Sequence, residues 1–121
     1  MNKLHRSEFL KEVKKHFPEI REEINKEKGL LSFEIDIFIK HVQNQIDSNI
    51  VNKTEIALSL LDKYYQDGNK SLHELIRNAV CEDLDFSVTS KRKRLRAYDL
   101  LSNQLKNERK EWLNFMGYNH V

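Results

Sequence analysis

This chain predicts an all-α fold, a single compact bundle of five to six helices, on three observations. Only three glycines and one proline occur in 121 residues, against average usages of about 7% and about 5%, too few for a loop-rich or all-β protein. Apolar residues recur at i, i+3, i+4 and i+7 through most of the chain, the period of a helix face rather than of a strand. Residues suited to starting or stopping a helix (Ser, Asn, Pro and Gly) stand at the ends of those runs. The length predicts one domain, residues 1–121, able to bury roughly two-thirds of its unfolded surface.

The first helix is expected to start near Ser7, a suitable N-cap, and to bury Phe9, Leu10, Val13 and Phe17. Pro18 closes it and opens the next segment, since a missing N–H costs nothing in a first turn. Ile20 and Ile24 give that second segment a narrow stripe, and Gly29 suits its C-terminal end. From Ser32 the series Ile35, Phe38, Ile39, Val42 and Ile46 marks a third helix, widened by Phe33 and Ile37. The run FEIDIFI alternates like a strand, but its continuation through Val42 and Ile46 keeps the helical period.

Asn52-Lys53-Thr54-Glu55 has the form of a capping box. It leads into Ile56, Ala57, Leu60, Leu61 and Tyr64, ending at Gly68. Asn69 or Ser71 starts the fifth helix, with Leu72, Leu75, Ile76, Ala79, Val80 and Leu84 on one side. Ser87 or Ser90 is expected to cap a long last helix that turns Leu95, Tyr98, Leu101 and Leu105 inward, with Trp112 continuing the stripe to Gly117.

No apolar run reaches the ~20 residues of a membrane span. The opening MNKLHRSEFLKEVKKH is charged throughout, unlike the apolar centre of a signal peptide. The single cysteine, Cys81, offers no internal disulfide and fits a reducing compartment. The expected address is cytoplasmic.

Net charge is only +2, but it is segregated. Residues 1–28 carry eight Lys/Arg against six Asp/Glu, residues 29–90 five against ten, and residues 91–121 eight against three. The sharpest contrast is local: Glu82, Asp83 and Asp85 are followed by Lys91, Arg92, Lys93, Arg94 and Arg96. The acids fall at a helix C-terminus and the cations at an N-terminus, where the helix dipole disfavours each. Each cluster should therefore meet an opposite charge, either in the other cluster or in a partner. The basic stretch is a candidate nucleic-acid contact, yet a helix spreads those positions around its circumference. Neither a helix-turn-helix glycine turn nor an aromatic-interleaved strand accompanies it.

Other chemistry is thin. His5, His16, His41, His73 and His120 show no HxxxH or HExxH spacing, so no metal is expected. Cys81 sits on an apolar stretch with no base in evident reach, which reads as a buried thiol. Phosphate-binding glycine loops and GxSxG are absent. Neither an enzyme, a cofactor nor a small-molecule substrate is expected. Adjacent Tyr64 and Tyr65 cannot both face one core, since neighbouring helical side chains diverge. Tyr65 and Trp112 are accordingly the candidate aromatic anchors of an interface.

Phe9, Val13 and Phe17-Pro18-Glu19-Ile20, with LHELIRNAVCEDLDF at 72–86, resemble small all-helical immunity-type proteins encoded beside bacterial polymorphic and contact-dependent growth-inhibition toxins. The resemblance covers about half of the chain. It implies a non-catalytic protein that binds a cognate toxin domain, a nuclease by expectation, and occludes its active site. Glu82, Asp83 and Asp85 would then stand in for substrate phosphates, with Tyr65 and Trp112 as anchors. Proteins of this kind directed at nucleases are often acidic overall, whereas this chain is slightly basic. The alternatives are a nucleic-acid-associated helical regulator using Lys91 to Arg96, and a helical dimer or adaptor. The acidic middle weighs against nucleic acid.

Overall fold

The computed structural model describes residues 3–27, 29–86 and 92–117; within the last span the side chains of Arg92, Lys93 and Leu95 are not described. Seven α-helices occupy the described residues: α1 (Arg6–His16), α2 (Arg21–Lys26), α3 (Leu31–Asp47), α4 (Val51–Asp67), α5 (Lys70–Asn78), α6 (Arg92–Asp99) and α7 (Asn103–Phe115). A 3₁₀ turn, Pro18–Ile20, joins α1 to α2, and α5 runs on into one π-helical turn, Ala79–Asp83. The fold is all-α, as predicted. The extra helix arises because the long last segment breaks at Leu101, after which Ser102 caps α7 by accepting from Leu105 N at 3.2 Å. The expected caps at Ser87 or Ser90 lie outside the described residues.

Two starts differ from expectation. Glu8 reaches back to the backbone N–H of His5 at 3.2 Å, so His5 is the cap of α1 and Ser7 lies within the helix. The expected capping box at Asn52 to Glu55 is not made, because Asn49 takes φ +58 and the helix begins earlier, at Val51. Thr54, buried within that first turn, instead donates to the Ile50 carbonyl at 2.9 Å. Asn69 caps α5 as read, accepting from Leu72 N at 3.0 Å. Gly29 adopts φ +92, a left-handed conformation that glycine enters without Cβ strain.

α3 packs on α2, α4 and α6, and α1 lies against α4. Phe9 sits edge-on to Phe38 (5.8 Å) and Tyr64 (5.1 Å), and Phe17 meets Phe38 at 5.6 Å. Geometry of this kind adds about 0.5–1.5 kcal/mol per pair beyond area burial. Phe33, expected to widen the α3 stripe, faces solvent instead. The chain start is clamped to the α4–α5 corner: Leu4 N donates to Asp67 O and Asn69 N to Leu4 O, both at 2.8 Å.

Candidate protein-binding face

Among the described side chains, the acidic and basic clusters meet at Arg94. Arg94 Nη1 donates to Asp85 Oδ2 at 2.6 Å, while Nε and Nη2 donate to the two oxygens of Asp47 at 2.8 and 3.1 Å. The hydrogen bond to Asp47, with the charges of Asp85 and Asp47, holds the guanidinium pKa above its ordinary value despite partial burial. Asp85 is fixed further by its backbone, with its N–H donating to Gln43 Oε1 at 2.8 Å and its carbonyl accepting from Gln43 Nε2 at 3.1 Å. Of the remaining basic stretch, Arg96 is exposed beside Ala97 and Leu100. Lys91 and the side chains of Arg92 and Lys93 lie outside what is described.

A second cation answers the helix end, and sequence reading missed it. Arg109 of α7 is 5% exposed. Its Nη1 donates to the carbonyls of Val80, Cys81 and Leu84 at 2.9, 3.1 and 2.9 Å, the oxygens that α5 and its π turn leave without intrahelical partners. Its guanidinium lies 5.0 Å from the centre of the Phe86 ring, and burial lowers its pKa from the ordinary arginine value. The signal was the i, i+4 series Leu105, Arg109, Leu113, all three buried. That series, not Trp112, continues the inward stripe.

The three acids separate. Asp85 faces Gln43 and Arg94, and the carboxyl of Asp83 is raised by partial burial and then by the charges of Asp36 and Glu82. Glu82 is exposed on the π turn, next to Cys81.

The two aromatic anchors do fall on one side. Tyr64 is buried and Tyr65 half-buried, as adjacent helical positions require. The Tyr65 ring stacks on His73 at 4.5 Å, and His73 Nδ1 donates to the Tyr65 carbonyl at 2.6 Å. The Tyr65 hydroxyl has its pKa raised by burial and then by the nearby charge of Glu108. Glu108 also lies 3.8 Å from Arg77 Nε. One turn further along α7, Trp112 borders an open cleft of about 270 Å³ that Arg77, Cys81, Glu108, Glu111 and Phe115 also line. Phe115 is 86% exposed and Met116 follows it at 49%. Glu108, Glu111 and Phe115 belong to this face although the sequence reading did not select them; the spacing Glu108, Glu111, Phe115 places them one helical turn apart.

The cleft carries no activated nucleophile. Burial, followed by the charge of Glu108, pushes the Cys81 thiol up to about 11. Among the described residues no three His, Cys, Asp or Glu side chains converge as metal ligands, and no helix is long and apolar enough to cross a membrane. His41 hydrogen-bonds Glu19 at 2.8 Å, whereas His73 serves Tyr65.

No curated protein and no solved structure matches the chain. Residues 10–117, which run from within α1 to the end of α7 and include the whole of this face, match the family described as a domain of unknown function, DUF7674, and the chain belongs to that family.

Proposed function

We propose that this protein is a non-catalytic immunity protein that binds a cognate toxin domain through the α5–α7 face. One observation carries the choice of face: an apolar edge of Trp112, Phe115 and Met116 stands beside the carboxylates of Glu108 and Glu111. An aromatic centre with a charged rim is the make-up of a protein interface rather than of free surface. The acidic rim suits a basic partner, such as the substrate groove of a nuclease, and occlusion of that groove needs no chemistry from this chain. Tyr65 flanks this face, near enough to Glu108 to feel its charge. Asp85 is committed to Gln43 and Arg94, so its role is in the fold.

The nucleic-acid reading loses support from Arg94, whose side chain is 15% exposed and whose charge is met by two aspartates. The test is co-expression with the product of the adjacent upstream gene, assayed for toxicity on its own, followed by calorimetry on the purified pair. Growth rescue and a one-to-one complex support the reading. Phe115→Ala with Trp112→Ala should weaken that complex at least about tenfold, the scale of an interface anchor. Glu82→Lys with Glu111→Lys should slow association most at low salt. Undiminished binding in both variants would overturn the face, and dimerisation of the chain through Phe115 would move the reading to an adaptor.

A further inference from the structure

A second surface, away from the α5–α7 face, consists of hydrogen-bond donors. An open cleft of about 620 Å³ runs along one edge of α1, lined by Arg6, Ser7, Leu10, Lys11 and Lys14, with Asn25 of α2 and Glu34 of α3 opposite. Glu34 is 1% exposed, and its two oxygens accept from Arg6 Nε and Nη2, each at 2.9 Å. That fork cancels the carboxylate and fixes the guanidinium, leaving Nη1 with both N–H groups unspent among the described residues. Lys11 and Lys14 make no ion pair with any described residue, and Ser7 donates to none. From Arg6 to Lys14 the edge is about 12 Å long at the helical rise of about 1.5 Å per residue. Its one apolar member, Leu10, is itself buried, and the lining includes no aromatic ring.

The geometry points to this cleft as a binding site for a linear oligophosphate. The donors match an anion carrying several acceptor oxygens in a row, because charge-assisted bonds from a fixed guanidinium and two ammonium groups strengthen one another's hold. A single phosphate spans too little of the edge to meet Arg6 and Lys14 together. With no ring to stack on, a nucleobase gains nothing, so free oligophosphate and the phosphate tail of a nucleotide should bind alike. This assignment is independent of the proposed toxin partner.

The test is calorimetry of the whole chain with tripolyphosphate, ATP, GTP and orthophosphate at about 50 mM and about 300 mM salt, with amide chemical shifts to locate the site. Expected are similar affinities for tripolyphosphate, ATP and GTP, at least about tenfold weaker orthophosphate, and loss of affinity at the higher salt. Shifts should centre on α1 and Asn25. Lys11→Gln with Lys14→Gln should lose about tenfold or more, whereas the exposed control pair Lys70→Gln with Lys110→Gln should lose nothing. Both pairs are surface changes, and an unchanged thermal melt confirms the fold. Equal loss in the two pairs, binding of ATP but not tripolyphosphate, shifts centred on residues 92–96, or no binding at millimolar ligand would each overturn the assignment.

Discussion

Arg94 and Asp85, nine residues apart, are joined at 2.6 Å, and the same guanidinium grips Asp47 of α3 through two further bonds. One cation thus ties α6 to α3 across the segment between Asp85 and Arg92. Its side chain is only 15% exposed, against 32% for Asp47 and 51% for Asp85. The Asp47 side of the fork should therefore dominate. Arg94→Gln is expected to lower stability by about 1–2 kcal/mol, and Asp85→Asn by less than about 1 kcal/mol. Urea midpoints at constant slope measure both; a larger loss from Asp85→Asn would reverse the ranking.

Arg109 is the most consequential buried charge. Replacing it by methionine keeps much of the volume against Phe86 but strands the Val80, Cys81 and Leu84 carbonyls in a dry corner. The expected loss is about 3 kcal/mol or more, the range seen when a buried charged network is left half made. Arg109→Lys should recover less than half, because a single ammonium cannot reproduce a planar group packed over the Phe86 ring. Full rescue by lysine in a denaturant titration would show that charge at the helix end matters more than the shape of the fork.

The pH dependence of stability should be anchored at Glu12 and Tyr64. Burial alone would raise the Glu12 carboxyl, but hydrogen bonds from Tyr64 and Lys63 outweigh it and hold the group below its ordinary 4.5. A depressed folded-state pKa contributes stability that is present above about 4.5 and is lost as pH falls through the depressed value. Tyr64 shows the opposite sign. Burial and then the bond to Glu12 raise its hydroxyl well above 10, so its contribution is complete below 10 and is lost as pH climbs past it. Tyr64→Phe should flatten the alkaline limb of a melting-temperature profile in part, Tyr65 and Cys81 keeping their own share, and weaken the acid limb. Glu12→Gln should flatten the acid limb only in part, since Glu19, lowered by its bonds against the effect of burial, retains its own share. An alkaline limb left wholly unchanged by Tyr64→Phe would count against the assignment, since Tyr65 and Cys81, both raised by burial, account only for the part that remains.

The helices were legible because their apolar period is regular: Phe9, Val13, Phe38, Val42, Leu61, Leu72 and Leu105 are all buried where the spacing put them. Periodicity does not report partners. Glu34 lies within an alternating acidic and apolar run and looks solvated, yet it is buried because Arg6, 28 residues earlier, folds onto it. Arg109 sits between Glu108 and Lys110 in what reads as a charged surface strip, and only its four-residue spacing from Leu105 and Leu113 marks it as inward. The acidic and basic clusters were recognisable as charges needing an answer. Which acid would meet which cation depended on helix rotation, and that is fixed by packing: Asp85 turns to Arg94, whereas Asp83 lies nearer the like charges of Asp36 and Glu82. On the candidate face Tyr65 and Trp112 were legible as amphipathic residues. Phe115 was passed over because it falls in the last turn, where the inward stripe has already run out.

Two glycines that a sequence reader would treat alike as helix stops should respond differently to substitution. Gly68 has an ordinary φ of −71, but a Cβ there would meet the Tyr64 carbonyl oxygen and come within 3.2 Å of Leu72 Cδ2. Gly29 has open space around it and a φ of +92. Gly68→Ala is therefore an overpacking change, expected to cost about 1–3 kcal/mol, and it strains the corner where Leu4 bonds Asp67 and Asn69. Gly29→Ala is a backbone change costing about 1–2 kcal/mol. Asparagine separates the mechanisms, since it tolerates the left-handed region but is larger than alanine. Gly29→Asn should recover much of the loss in thermal melting, whereas Gly68→Asn should be no better than Gly68→Ala. Recovery at position 68 would mean that backbone freedom, and not the Tyr64 carbonyl, selects glycine at the α4–α5 corner.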